Sequence, residues 1–261
     1  MIEITSLNND RVRRVQALQR STRHRVRADA LVIEGLRLVR EAVDAPVELA
    51  EVFYTETFAA DPRGAALLAR MKDRPLTLLR VTDAVMAAMS DTETPQGILA
   101  VLPIPAQPAD PSGGLTLLPD HIRDPGNMGT MLRTAWAAGV RRVLIPPGCV
   151  DPTNPKVVRA GMGAHFHLPI RKVAWQQIEA VTDGATFWLA EAEGGVPYDR
   201  VDWSGPVTLI IGGEARGAGA RARELAGGNY VTIPLASGVE SLNAAMATAV
   251  LLFEARRQRA L

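Results

Sequence analysis

In the second half of the chain, short apolar runs alternate with stretches of helical periodicity, and this alternation limits the possible folds more than any other feature. The runs predict strands at Leu115–Leu118, Val143–Ile145, Phe187–Leu189, Val207–Ile211 and Val231–Ile233. Between the first two runs, Met128, Met131, Leu132 and Ala135 recur at the spacing of one helix face. Strands that alternate with helices favour a mostly parallel sheet with helices on both sides, so we predict an α/β fold.

A proline-rich seam, PIPAQPADPSGG at 103–114, divides the chain. Proline favours extended backbone and supplies no amide donor, and the closing Ser-Gly-Gly is flexible. We therefore predict a linker between a first domain at 1–102 and a second at 115–261; the alternative is a long surface loop within one domain. The first part is also α/β in pattern, with strand-like runs at Leu31–Glu34, Val52–Thr55, Leu76–Val81 and Ile98–Leu102.

The net charge of the chain excludes no class of partner, whereas its cysteine content excludes disulfide-stabilised and cysteine-rich zinc proteins. The formal net charge is +1, which excludes neither a nucleic acid nor a small molecule as partner. Cys149 is the only cysteine, so an intramolecular disulfide framework and a cysteine-rich zinc site are excluded. The basic N-terminus lacks the apolar core of a secretory signal, and the longest apolar stretch, near Ala244–Phe253, is too short to span a bilayer. We predict a cytoplasmic protein with no membrane partner.

Common nucleotide and metal motifs are missing from the sequence. There is no G-x-x-x-x-G-K-[ST] phosphate loop, and no G-x-G-x-x-G opens the first strand–helix unit as a dinucleotide site requires. His165 and His167 are expected to alternate onto one strand face, but two histidines without nearby partner ligands are more typical of plain sheet residues. No metal site is predicted.

Three glycine-containing segments follow predicted strands of the second domain. They are HIRDPGNMGTMLRTAWAAGV at 121–140, IIGGEARGAG at 210–219 and IPLASGVESLNAAMA at 233–247. Glycine lets backbone approach a ligand closely, and ligands of open α/β sheets bind beyond the carboxyl ends of the strands. The polar residues Asn127, Glu214, Ser241 and Asn243 are therefore candidate site residues. For Asn127, Ser241 and Asn243 the alternative is that each caps a helix.

Together these segments resemble the three motifs of the SpoU/TrmH family of SPOUT RNA methyltransferases, in the family's order. DPGNMGTMLRTA resembles motif one, with Asn127 and Arg133, and LIIGGEARG resembles motif two, with Glu214. IPLASGVESLNAAMA resembles motif three, with the Ser-Leu-Asn at 241–243. The first domain resembles the family's substrate-binding domain in ITSLNNDRVRRV, LVIEGLRLVREA and TPQGILAV. The resemblance therefore covers nearly the whole chain.

Motif two departs from the family pattern at two places. Gly213 stands where asparagine is frequent, and Gly-Ala-Gly at 217–219 stands where Gly-Leu-Ser is common. The second change removes a hydroxyl that would cap a helix, so we expect a looser turn there. Neither change removes a residue that the resemblance assigns to the chemistry.

The resemblance implies an α/β catalytic domain whose C-terminal segment forms a trefoil knot, S-adenosylmethionine as cofactor, no metal, and a homodimer with the site near the subunit interface. It implies methyl transfer to a ribose 2′-hydroxyl. The implied catalytic residues are Asn127, Arg133, Glu214, Ser241 and Asn243. The implied cofactor-binding residues are Ile211, Gly212, Gly213, Glu214, Ile233, Leu235 and Leu242. Because a guanidinium stays protonated in proteins, we expect Arg133 to clamp the target phosphate and stabilise the developing oxyanion.

An arginine-rich helical segment near the N-terminus is the candidate RNA contact. From 11 to 27 it contains no acidic residue, and its cations are Arg11, Arg13, Arg14, Arg20, Arg23, Arg25 and Arg27. Such a segment supplies sequence-independent phosphate binding, and its alternative is a solvated helix face. The domain layout resembles that of family members that act on ribosomal RNA, and this resemblance implies large-subunit ribosomal RNA as substrate. Transfer RNA remains an alternative, as does an RNA-binding or ribosome assembly protein of this fold without catalysis.

Overall fold

The structure is a computed structural model that describes residues 2–105, 113–182, 184–213 and 217–260. It divides into two compact units, Met1–Ala106 with Thr153–Phe166 and Gln107–Pro152 with His167–Leu261. Most of the seam, residues 106–112, lies outside the described part of the chain. In the part that is described, no helix combines the length and apolar character needed to cross a membrane.

The elements of both units follow in chain order. The strands are β1 (Ile2–Ile4), β2 (Ala30–Glu34), β3 (Glu51–Tyr54), β4 (Thr77–Val81), β5 (Ile98–Pro103), β6 (Leu115–Asp120), β7 (Arg142–Ile145), β8 (Ile170–Lys172), β9 (Thr186–Ala190), β10 (Val196–Pro197), β11 (Val207–Gly212) and β12 (Tyr230–Thr232). The helices are α1 (Asp10–Arg20), α2 (Thr22–Ala28), α3 (Leu36–Asp44), α4 (Glu56–Ala60), α5 (Pro62–Met71), α6 (Asp83–Met89), α7 (Pro125–Ala138), α8 (Pro155–Gly161), α9 (Ala164–His167), α10 (Ile178–Thr182), α11 (Ala220–Ala226) and α12 (Ala244–Arg259).

The first unit is built on a mixed sheet in the order β1-β4-β3-β5-β2. β1, β4 and β3 run parallel, whereas β5 is antiparallel to both of its neighbours. On β2, Leu31 and Ile33 join the core under α3 and α5, while Ala30 and Val32 join the core under α1 and α6. Successive side chains of a strand point to opposite faces of the sheet. Since helices cover both faces here, residues on both sides of the strand are buried, which explains the continuous apolar run in the sequence.

The second unit is a seven-stranded sheet in the order β10-β12-β9-β11-β6-β7-β8. Every pair in this sheet is parallel. This confirms the predicted α/β fold with a mostly parallel sheet. The central strands β6 and β11 are buried almost throughout, as their continuous apolar runs indicate. Because parallel strands end on one edge, the segments that follow β6, β9, β11 and β12 meet there.

The strands that the sequence did not reveal are short edge strands. β1, β8 and β10 contain 3, 3 and 2 residues, and β8 carries two exposed cations. Strands of two or three residues are too short to show an apolar pattern. The trefoil knot implied by the resemblance stays a prediction.

The arginine-rich segment is two helices, where one helical stretch was expected. α1 ends and α2 begins at Ser21, which has extended backbone. The Ser21 hydroxyl accepts the His24 amide, so one residue ends the first helix and caps the second. Because of this break, α2 does not continue the axis of α1. The arginines of α2 therefore do not follow the helix faces of α1.

A segment after the seam joins the core of the first unit. Val158 of α8 and Phe166 of α9 pack in the cluster that contains Leu38 and Leu67. The expected strand face for His165 and His167 is wrong: both lie in α9, which follows the turn at Gly163 (φ +102°). The His167 ring stacks on Trp136 with the ring centroids 4.4 Å apart.

Candidate active site

A cavity of about 330 Å³ opens at the carboxyl ends of β9, β11 and β12. Its lining residues are Ala190, Glu191, Ala192, Ile211, Gly212, Gly213, Gly217, Val231, Ile233, Leu235, Ser241, Leu242, Asn243, Ala244, Ala247 and Leu251. The set includes all the residues expected to bind the cofactor except Glu214, which lies outside the described residues. This volume falls within the range of small-molecule sites.

Glycines after β11 form part of the cavity wall. Backbone segments approach each other there so closely that a side chain would not fit. Gly213 and Gly217 form an antiparallel bridge, and the Gly217 amide donates to the Gly213 carbonyl at 2.9 Å. A Cβ on Gly212 would lie 2.5 Å from the backbone nitrogen of Ala218. Since real Cβ atoms do not approach that closely, residue 212 must be glycine for this turn to form.

A hydrogen bond joins motif one to motif three beside the cavity. Nδ2 of Asn243 donates to Oδ1 of Asn127 at 3.1 Å. Asn243 is also the N-cap of α12, where its Oδ1 accepts the amides of Ala245 and Met246. The capping alternative therefore holds for Asn243, in addition to its cavity contact.

The capping alternative is wrong for Asn127 and Ser241. α7 is capped by Asp124, whose Oδ1 accepts the Asn127 amide at 2.7 Å. Asp124 takes this place because Pro125 fills the first helical position, which proline favours. The Asn127 side chain is left for Asn243, and Ser241 lies in the cavity lining before α12 begins.

Arg133 lies on the exposed face of α7, away from the buried residues Met131 and Leu132. No hydrogen bond or ion pair of its guanidinium is found among the residues that the structure describes. The side chain is therefore available to an external ligand, and it has no part in the cavity lining.

Two acidic residues beside the cavity were missed by the sequence reasoning. Glu191 follows β9 and lines the cavity, with its Oε1 2.7 Å from Nη2 of Arg223. Asp120 ends β6 and is fully buried, and its Oδ2 accepts the Gly219 amide at 2.6 Å. Gly219 is the N-cap of α11 and offers no side-chain cap, but its own backbone amide is held by Asp120. Both acids follow or end a strand, so their position at the carboxyl edge was the available signal.

A second cavity of about 460 Å³ lies past the ends of β7 and β8. It is lined mainly by the loop that contains Pro146, Pro147 and Cys149, together with Lys172 and Val173. Burial raises the pKa of the Cys149 thiol to about 11, and the charge of Asp120 contributes. The thiol therefore stays protonated and uncharged near neutral pH.

The arginine segment of the first unit is only partly available to a ligand. Arg25 is 2% exposed, and its guanidinium donates to the Leu18 carbonyl, Thr22 and Thr153. The prediction of an RNA contact by Arg25 is therefore corrected, because this side chain ties α2 to its surroundings within the unit. The polar partner Thr153 lies 128 residues away in sequence.

The other arginines differ in their pairing. Arg11 and Arg14 contact the two carboxylate oxygens of Glu51 at 3.0 and 3.1 Å, and Arg13 donates to Asn8. Within the segment at 11–27, three arginines have an exposed guanidinium with no partner among the described residues: Arg20, Arg23 and Arg27. We define these three as the free-arginine patch.

Metal ligands do not cluster in the described ranges: no group of three or more His, Cys, Asp or Glu side chains is placed to hold an ion.

A glycine-walled cavity at the carboxyl edge of a parallel sheet is the typical small-molecule site of an α/β protein. The sequence model of the SpoU rRNA Methylase family matches residues 114–253, and that of the MRM3-like substrate binding domain matches residues 9–100. The chain belongs to the SpoU rRNA methylase family, which confirms the resemblance drawn from the three motifs. It is an S-adenosylmethionine-dependent RNA methyltransferase.

Similar proteins and solved structures span both units. The chain is 31% identical to the 23S rRNA (guanosine(2553)-2'-O)-methyltransferase RlmP of Bacillus subtilis, over 98% of this chain and 100% of RlmP. It is 31% identical to the mitochondrial rRNA methyltransferase 3 of Mus musculus, over 95% of this chain and 72% of that protein. The AdoMet-bound rRNA methyltransferase from Sinorhizobium meliloti superposes with a TM-score of 0.84 at 30% identity, over 98% of this chain and 97% of that one. AviRb from Streptomyces viridochromogenes, in complex with AdoMet, has a TM-score of 0.85 at 26% identity, over 97% and 99% of the two chains.

Proposed function

We propose that this protein methylates a ribose 2′-hydroxyl of large-subunit ribosomal RNA and that the cavity past β11 and β12 holds its cofactor. The observation that carries the proposal is the joining of motifs one and three at that cavity through Asn127 and Asn243. The names of the relatives, which include a 23S rRNA 2′-O-methyltransferase, favour this substrate class over transfer RNA.

The cavity has the chemistry to hold S-adenosylmethionine. Ile211, Ile233 and Leu242 supply apolar surface for a nucleobase. The glycines at 212, 213 and 217 present backbone groups at close range. The Glu191 carboxylate is an acceptor for hydroxyl or ammonium groups. When bound, the cofactor supplies an electrophilic methyl group on a sulfonium.

The residues of the chain have distinct proposed tasks around that methyl group. Asn243 and Asn127 hold the start of α12 and the start of α7 in fixed relation, while Ser241 contributes a hydroxyl to the lining. Arg133, with its exposed guanidinium, clamps the target phosphate and stabilises charge that develops on the ribose oxygen. Glu214 is proposed to hold polar groups of the site by resemblance alone.

We propose a homodimer formed through the exposed face of α12. Leu251 and Leu252 of this helix are fully buried within the unit, so they take no part in that face. Phe253 is 49% exposed and Met246 is 54% exposed. These two are seven residues apart, so they lie on one side of the helix and form an apolar patch that a second copy would cover.

The first unit is proposed to hold the RNA through the free-arginine patch. Cations without internal partners are the ones that can exchange counterions for phosphates. The cytoplasmic location stays a proposal, and relatives include a bacterial enzyme and mitochondrial ones.

Methyl transfer by the purified protein tests this function. The protein is incubated with S-adenosylmethionine carrying a labelled methyl group and with either 23S rRNA or total tRNA, and the RNA is then hydrolysed in alkali. A 2′-O-methyl group blocks cleavage of the adjacent phosphodiester because the attacking oxygen is capped. Label in alkali-resistant dinucleotides of 23S rRNA is expected. Label only in tRNA supports the alternative substrate, and label only in mononucleotides means base methylation and contradicts the proposal.

A further inference from the structure

The loop after β6 begins with His121, whose imidazole lies against a buried carboxylate. Nδ1 of His121 is 2.6 Å from Oδ1 of Asp120, in contact but without the alignment of a hydrogen bond. Asp120 is fully buried, and its other oxygen holds the Gly219 amide. The His121 side chain is 43% exposed. The pairing therefore leaves Nε2 as the ring nitrogen that a ligand can reach.

His121 is held in a backbone conformation that side chains seldom adopt. Its φ is +55°, in the left-handed region. Its carbonyl oxygen lies 2.5 Å from the place that a Cβ on Gly213 would take, and its Cε1 lies 3.1 Å from the corresponding place on Gly219. Both glycines are positions at which motif two departs from the family pattern. Backbone strain of this kind clusters at functional sites, where the surroundings enforce it.

His121 lies between a glycine of the cofactor cavity and the loop that lines the second cavity. Gly213 lines the cofactor cavity and contacts the His121 backbone. On its other side, Nε2 lies 3.2 Å from the place of a Cβ on Gly148. The neighbours of Gly148 on both sides, Pro147 and Cys149, line the second cavity. The backbone of His121 is thus next to the cofactor cavity, while its imidazole lies against the loop that lines the second cavity, an open space large enough for part of a nucleotide.

The reaction needs a group that can remove a proton, and the residues assigned so far supply none. A ribose hydroxyl becomes a good nucleophile only as its proton leaves, and the guanidinium of Arg133 has no free electron pair at ordinary pH. Neutral imidazole is the commonest proton acceptor in proteins, and a carboxylate behind it stabilises the imidazolium that forms. Among the described residues, the charged group found against the ring is the Asp120 carboxylate.

We propose that His121, oriented by Asp120, accepts the proton of the ribose 2′-hydroxyl during methyl transfer. This inference rests on the proposed function. The O2′–H bond breaks and its proton passes to Nε2, while the oxygen's electron pair forms the bond to the methyl carbon. The carbon–sulfur bond breaks with its pair on sulfur, which leaves a neutral thioether. The imidazolium then returns its proton to water.

A first test needs no variant. If Nδ1 carries the proton that faces Asp120, neutral His121 is the Nδ1–H tautomer, and Nε2 has a free electron pair. Long-range ¹⁵N NMR correlation spectra of the wild-type protein distinguish the two tautomers. The Nδ1–H tautomer is expected. An Nε2–H tautomer overturns the proposal, because Nε2 then has no pair to accept a proton.

A second test uses substitutions that the left-handed backbone tolerates, His121→Gly and His121→Asn. Both are expected to lower the methyl-transfer rate about a hundredfold or more, as loss of a general base does, with the cofactor Kd within twofold of wild type. Added imidazole should restore part of the rate of His121→Gly and none of His121→Asn, whose amide fills the space. If the wild type methylates rRNA and both variants keep more than half of its rate, the proton-acceptor role is wrong. If the wild type methylates no ribose, the proposed function itself has failed.

Discussion

Nδ2 of Asn243 donates to Oδ1 of Asn127 across 3.1 Å, which connects residues 116 positions apart in the chain. The orientation of the Asn243 amide is fixed from both ends, because its oxygen accepts the Ala245 amide at 2.9 Å. One side chain thus starts α12 and holds the start of α7. The two motifs that flank the cavity are in this way fastened by a single planar group.

Asn243→Asp separates these two tasks. A carboxylate keeps the helix cap, so the free energy of unfolding should change by less than the roughly 1 kcal/mol that loss of a cap costs. It cannot donate to Asn127 and places two oxygen acceptors together, so methyl transfer should fall about tenfold or more. Asn127→Asp is the matched control, since a carboxylate there still accepts from Nδ2. Melting temperature gives the stability of each variant, and the initial rate gives its activity. Equal losses of activity in the two variants would count against a role for the Asn243–Asn127 hydrogen bond.

Substitution of Arg133 should lower the methyl-transfer rate but leave the stability and the cofactor affinity of the protein unchanged. Its guanidinium is exposed and has no partner in the described part of the chain, so Arg133→Ala and Arg133→Lys should leave the melting temperature and cofactor Kd unchanged. Loss of one donor to the developing charge typically lowers the rate about a hundredfold. Arg133→Lys retains the charge but not the planar fork, so it should lie between wild type and Arg133→Ala.

The matched control for Arg133 is Arg221→Ala, which removes an exposed arginine from α11 with only the Glu224 ion pair on the same helix. Wild-type turnover is expected for this control. Near-normal methyl transfer by Arg133→Ala would remove the residue from the mechanism.

The free-arginine patch should carry the salt dependence of RNA binding. Each phosphate contact contributes about −0.7 to −0.9 to the slope of log K against log salt, so alanine at Arg20, Arg23 and Arg27 should flatten that slope by about two. Filter binding or fluorescence anisotropy at several salt concentrations measures it. Arg63→Ala, exposed on α5, is the control for general charge loss. An unchanged slope in the triple variant would support the solvated-face alternative.

Arg25 is expected to behave differently from its neighbours. Arg25→Ala leaves the Leu18 carbonyl and the Thr153 hydroxyl without the guanidinium that now serves them. An unsatisfied buried polar group costs about 1–3 kcal/mol, so this variant should lower the melting temperature of the protein. Chemical denaturation measures the loss. A stability equal to wild type, with a large loss of RNA affinity, would restore Arg25 to the RNA contact.

The exposed face of α12 should hold the dimer. Phe253→Asp puts a charge in the centre of the proposed interface, which should weaken dimerisation a hundredfold or more, as removal of an interface hot spot does. Light scattering or analytical ultracentrifugation gives the mass. Val26→Asp, at a 62% exposed valine of α2, is the control. A wild-type protein that is monomeric at micromolar concentration contradicts the dimer.

The sequence was sufficient wherever a strand is buried on both faces. β2, β6 and β11 are unbroken apolar runs, and their bounds are within one or two residues of those predicted. The three motif segments were also recognisable, because each combines a predicted strand with glycines that allow close approach of backbone to a ligand. β8 was missed because it has only three residues and two of them are exposed cations.

The rest depended on contacts that local sequence does not encode. Arg25 has the same local context as Arg23, yet it is buried because α2 starts afresh at Ser21. The cap of α7 is Asp124, although only Asn127 was considered for that role, as the alternative to a site residue. His121 was overlooked because its importance comes from Asp120, Gly213 and Gly219, two of which are distant in the chain.

Mapping ribose methylation in cells tests the central claim most directly. Ribosomal RNA from the parent cells, from cells without the gene, and from the deleted cells given wild-type protein or Arg133→Ala is scanned for positions resistant to alkaline cleavage. We predict a 2′-O-methyl group in the large-subunit RNA that is lost on deletion, restored by the wild type and not restored by Arg133→Ala. A ribosomal RNA methylation pattern identical in all four samples would contradict the assignment of this protein as a ribosomal RNA ribose methyltransferase.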